Sequence, residues 1–155
     1  MPPLDDQELE AALRDADSPA WSVRAAAGRR LAMSDRIDEV TDVLHRLLLD
    51  ARDTGVVQET AVALLEREDT IGLRCVLLAR SHASETWTAA EIQATLDCDP
   101  AWMVTEGADR LIERYRALAT DQDPGVRDEV QRLLARLRPR AEWARDSEPG
   151  PVSGT

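Results

Sequence analysis

Asp17-Ser-Pro-Ala-Trp-Ser-Val-Arg-Ala-Ala-Ala-Gly-Arg-Arg-Leu31 returns twice further along the chain. It returns as Asp53-Thr-Gly-Val-Val-Gln-Glu-Thr-Ala-Val-Ala-Leu-Leu65, and again as Asp123-Pro-Gly-Val-Arg-Asp-Glu-Val-Gln-Arg-Leu-Leu134. Each copy has a turn acid, a Pro or Gly, a Val, then a helix of small residues ending in Leu. The anchoring valines Val23, Val57 and Val126 are 34 and 69 residues apart, so the second gap is about two periods. A period of this size belongs to stacked helical hairpins, none of which buries its apolar face alone. Such a stack is a scaffold that binds, with no direct sign of chemistry.

Outward from these copies the chain divides into hairpins at about 4–33, 35–67, 69–97 and 100–138. Leu9, Ala12 and Leu13 make a first helix. Asp17 and Ser18 are expected to cap the second, with Pro19 in its first turn and Val23, Ala26, Ala27 and Leu31 on one face. Ser34 or Asp35 opens a third with a stripe from Ile37 to Leu48. Val57, Ala61, Leu64 and Leu65 are the buried face of the fourth. Asp69 and Thr70 open the fifth. The sixth is the least regular, with Trp87, Ala90, Ile92 and Leu96 inward and Thr88 where other copies have Val. A long seventh segment follows Asp99-Pro100, with Gly107 as a possible kink. Asp123 starts the eighth. Residues 139–155 are polar and read as a disordered tail. The expected fold is all-α, an α-solenoid of about four antiparallel hairpins.

The turn-plus-helix copies resemble HEAT repeats. Asp17, Pro19, Val23, Arg24, Ala26, Ala27 and Leu31 match that pattern, as do Asp123, Pro124, Val126, Arg127 and Leu134. In the second copy Val57 and Ala61 match, but Gln58 replaces the Arg and Thr54 stands for Pro. The third matches in spacing alone. The resemblance implies a HEAT-like superhelix over the chain to about Leu137, in which the motif Asp caps a helix and the Arg reaches neighbouring turns. It implies that Asp17, Asp53, Asp123, Arg24 and Arg127 are fold residues. The family serves mainly as adaptors and scaffolds, so the likeness fixes little about function.

Composition narrows the partner. The 155 residues carry a net charge of −11, which opposes phosphate backbones and anionic membranes and favours a basic protein. All 19 cationic residues are Arg, which reads as codon bias in a GC-rich bacterial genome. Phe is absent, so Leu, Ala and Val fill the core. The two cysteines, Cys75 and Cys98, have neither disulfide nor zinc spacing, and His45 and His82 add no ligand pattern. No metal or cofactor is expected. The N-terminus has no apolar run of signal-peptide type, so a cytoplasmic chain with reduced thiols is expected.

No catalytic constellation stands out. The carboxylates read as solvated helix faces and caps. Cys75 and His82, seven positions apart on one helix, lie about 10 Å apart along the axis, too far for a nucleophile pair. The expected function is a non-enzymatic interaction module, an adaptor, regulator or inhibitor, whose concave face is built from the second helices. Ala25, Gly28, Arg29, Glu59, Ala63, Glu66, Glu91, Asp128, Arg132 and Arg136 are expected on that face. Trp21 and Trp87, at the starts of second helices, read as seals between hairpins or, alternatively, as exposed docking anchors. Trp102 and Trp143 read as seals more readily than as anchors. The candidate partner-binding set is Trp21, Arg29, Glu59, Glu66, Trp87, Glu91, Asp128 and Arg132. A second reading takes Arg24, Arg29, Arg30, Arg127, Arg132 and Arg136 as a basic stripe for nucleic acid, as in DNA glycosylases of HEAT-like form. The charge balance opposes it. Kinship to the bilin-lyase branch ranks last, with no residue behind it.

Overall fold

The computed structural model describes residues 3–146, with side chains through 137. Among these residues the chain is all-helical, with eight α-helices and no strand: α1 (Asp6–Asp15), α2 (Trp21–Ala32), α3 (Thr41–Leu48), α4 (Thr54–Glu66), α5 (Thr70–His82), α6 (Thr86–Asp97), α7 (Thr105–Ala117) and α8 (Pro124–Asp146). Short 3-10 turns at Ile37–Glu39 and Pro100–Met103 precede α3 and α7. No described helix is long and apolar enough to cross a membrane.

Side chains cap the starts of four of the eight α-helices. Asp5 and Glu8 form a capping box on α1, each side chain accepting the other's backbone N–H at 2.8 and 3.0 Å. Asp53 accepts from Gly55 N–H at 2.7 Å, Asp69 from Gly72 at 2.8 Å, and Asp123 from Gly125 at 2.8 Å, capping α4, α5 and α8.

The start of α2 departs from expectation. It begins at Trp21 with Ala20 at the cap position and no side-chain cap bond. Pro19 therefore precedes the helix. Ser18 closes a tight turn on Ala20 N–H instead, and Asp17 faces Arg46 at 3.1 Å. The carbonyls of Ser18 and Pro19 are claimed by Arg24, which holds this turn outside the helix.

Two further boundaries move. The third helix breaks at Val40, which leaves helical geometry at φ −124° and ψ 13°, while Ile37, Val40 and Leu44 remain buried together. The seventh segment breaks at extended Val104, not at Gly107. Gly107 lies inside α7, where a Cβ would meet Ala101 O at 2.8 Å, so its role is close approach. Helix α8 runs to Asp146, eight residues past the expected end of the helical part and through Pro139. Residues 147–155 of the expected tail, and the side chain of Trp143, lie outside the described set.

The second helices α2, α4 and α6 lie side by side, with α2 against α4 the most extensive contact in the molecule. Helices α3, α5 and α7 contact one another in the same sequence. Helix α8 lies chiefly against α5. A Leu-rich core runs between the helices, with Leu31, Leu44, Leu48, Leu64, Leu73, Leu77, Ile92 and Leu111 fully buried. Burial of such side chains supplies the main stabilisation, about 1.5–3 kcal/mol each.

The α2–α4 seam also corrects the expected inner surface. Ala25, Gly28 and Ala63 are buried in helix contacts, while Val23 and Ala26 are half-buried. The small residues serve helix approach: a Cβ on Gly28 would lie 2.2 Å from Thr60 Oγ1.

Candidate functional site

Two of the three repeat copies carry the same arginine latch. Arg24 donates to the carbonyls of Ser18 and Pro19 at 3.0 and 3.1 Å, and Arg127 donates to those of Asp121 and Gln122 at 2.6 and 3.1 Å. The acceptors lie six and five positions back in both. Arg24 also reaches the turn between α3 and α4: its Nε donates to Asp50 at 2.8 Å, and Asp50 in turn accepts from the Arg52 and Asp53 amides. Arg24 and Asp50 are both buried. Both guanidiniums are thus engaged by backbone carbonyls of their own turns.

The second copy has Gln58 where the others have Arg, and no such latch forms there. Helix α4 contacts α6 less extensively than it contacts α2. A groove of about 320 Å³ opens at that seam, lined by α4, α6 and the turn leading to α7. Its apolar lining is Val62, Leu65, Ala94, Pro100 and Ala101. Its polar lining includes Gln58, Glu66, Glu68, Glu91 and Asp99. No cationic side chain lines it. Among the described residues the carboxylates of Glu66, Glu68 and Glu91 make no ion pair, whereas most arginines facing other seams are matched with acids.

Glu68 is held unusually. Its φ is 55°, a left-handed conformation that favours glycine at a helix end. Arg67 beside it donates to Ala32 O at 2.7 Å and Ser34 O at 2.9 Å and pairs with Asp69 at 3.0 Å. Those bonds tie the α4–α5 turn to the end of α2 and fix Glu68 at the groove.

The structure divides the candidate set. Glu66 and Glu91 come together at the groove. Arg29 and Glu59 face each other in an ion pair across α2 and α4. Arg132 pairs with buried Glu129 at 3.4 Å, and Asp128 is exposed on α8 away from the lining set. Trp21 and Trp87 are 49% and 40% exposed, so neither is a buried seal, and Trp21 rests against Gly55. The sealing tryptophan is Trp102: its indole N–H donates to Leu96 O at 3.1 Å beside the Tyr115 ring. Each member of the proposed arginine stripe already has an acceptor, with Arg30 near Asp15 and Arg136 near Asp97.

Gln58, Glu68 and Asp99 also line the groove and stand outside the candidate partner-binding set. The departure of Gln58 from the motif was the available signal. Cys98 is exposed at the groove, while burial pushes the Cys75 thiol up and leaves it a poor nucleophile. His82 faces His45 rather than Cys75. No family model, no curated protein and no solved structure matches this chain.

Proposed function

We propose that this chain is a non-enzymatic protein-interaction module, a HEAT-like α-solenoid of about four hairpins. Its groove between α4 and α6 receives a basic segment of a protein partner. The observation that carries the reading is the groove itself: an apolar lining interspersed with carboxylates, with no cation of the chain's own among its lining residues. Long cationic side chains suit such a surface, since the stem can pack on the apolar residues while the head meets the carboxylates. The net charge of −11 steers a basic partner toward the molecule and repels nucleic acid. Exposed Trp21 and Trp87, at the starts of α2 and α6, offer further anchoring area.

The test compares wild type with the Glu66→Arg/Glu91→Arg variant as bait in native lysate, at low and high salt. The expected result is a stoichiometric basic protein retained by wild type and lost by the variant. Purified, that pair weakens at least about tenfold on charge reversal, about 1.4 kcal/mol. Equal retention by the variant removes the groove from the reading. Recovery of nucleic acid without protein overturns it.

A further inference from the structure

His45 sits in the last turn of α3, and His82 is the last residue of α5. The two are 37 positions apart in sequence, yet His45 Nε2 and His82 Nδ1 are 3.3 Å apart. Their rings stand nearly perpendicular, at 84°, with centroids separated by 5.2 Å. Two imidazole nitrogens, each about 2.0–2.1 Å from a zinc ion at a tetrahedral angle, lie about 3.3 Å apart.

The surroundings favour a cation. Both histidines stand at helix C-termini, where unsatisfied carbonyls concentrate negative potential. Asp42, one turn before His45, adds a carboxylate whose charge is felt at that ring. The nearby cation Arg46 is paired with Asp17 at 3.1 Å.

We propose that His45 and His82 form a two-histidine site for a first-row divalent transition metal, zinc or nickel, that clasps α3 to α5. Imidazole pairs select such ions over magnesium and calcium, which take oxygen ligands. Among the described residues no third His, Cys, Asp or Glu completes the cluster, so solvent supplies the remaining positions on the open side of exposed His82. With a metal bound, each ring would carry its proton on the far nitrogen, Nδ1 of His45 and Nε2 of His82. A neutral pair therefore exchanges tautomers without releasing a proton. Because the ligands come from two helices, the metal binds the folded chain and stabilises it by mass action.

The test is thermal unfolding of the full chain, carrying Cys98→Ser so that a free thiolate adds nothing. Ni2+ or Zn2+ at about 1 mM and about pH 7.5 is expected to raise Tm by about 4 °C or more. The same ions at about pH 5, where imidazoles are protonated, are expected to give no shift. His82→Gln, a surface change that leaves folding intact, and His45→Gln are each expected to abolish it. An equal shift in either variant, an equal shift with Mg2+, persistence at acid pH, or no shift in the parent overturns the site.

Discussion

Arg24 on α2 and Asp50, 26 positions later, meet in a buried pair at 2.8 Å that joins α2 to the turn before α4. The carboxylate also organises its own turn through the Arg52 and Asp53 amides. Removing one partner strands a buried charge, at a cost of about 3–5 kcal/mol. Arg24→Met and Asp50→Leu are each expected to fall in that range by urea unfolding. The double variant is expected to be more stable than either, because no charge is left unpaired. Additive losses would remove the latch from this account.

Acid is expected to unfold the chain in two stages. His45 titrates low in the folded state because of burial and the His82 charge. Its contribution is present above the unfolded value of about 6.5 and is lost as pH falls through the folded one. Burial pushes Asp50 up, but hydrogen bonds from Arg24 and two backbone amides outweigh it and leave the carboxyl below its usual range. A hydrogen bond from Arg74 depresses Asp121 likewise. Their contribution is present above the unfolded value of about 3.9 and is lost as pH falls through the folded values. The urea midpoint measured against pH is expected to lose its upper step in His45→Gln and to flatten at its lower step in Asp50→Asn.

Two glycines differ in what stands opposite. A Cβ at Gly28 meets the Thr60 side chain, while a Cβ at Gly72 lies 2.2 Å from the carbonyl oxygen of Leu64. A side chain yields more easily than backbone held in a helix. Gly28→Ala is expected to cost about 1–3 kcal/mol, and Gly72→Ala more. Equal midpoints for the two variants would contradict this ordering.

The tryptophans divide into structural and free. Trp102→Ala loses the Leu96 hydrogen bond and the Tyr115 contact, and is expected to cost about 2–4 kcal/mol. Trp87→Ala, 40% exposed before the change, is expected to cost under about 1 kcal/mol. Denaturant titration of the two variants checks the contrast.

Much of this could be read from local pattern. Val57 and Val126 are fully buried where the repeat places its anchor, and Asp53, Asp69 and Asp123 cap helices as turn acids do. Glu66 and Glu91 were named among surface residues and do line the groove. What escaped depends on contacts distant in sequence. Arg24 takes carbonyls that would otherwise sit at the start of α2. Val40 and Val104 leave helical geometry with no Gly or Pro at the break to signal it. His45 and His82 carry no spacing signal, since only the packing of α3 on α5 brings them together.

The missing arginine at position 58 has a mechanical consequence. The α2–α4 joint is clamped by the Arg24–Asp50 pair in the turn before α4 and by Arg67 reaching back to the end of α2. The α4–α6 joint has no counterpart to the Arg24 latch. Among the described residues neither an ion pair nor a side-chain hydrogen bond ties α4 to α6, so the groove lies at a joint held by packing alone. On the proposed function, a basic segment seated there would supply the polar cross-links that this joint lacks.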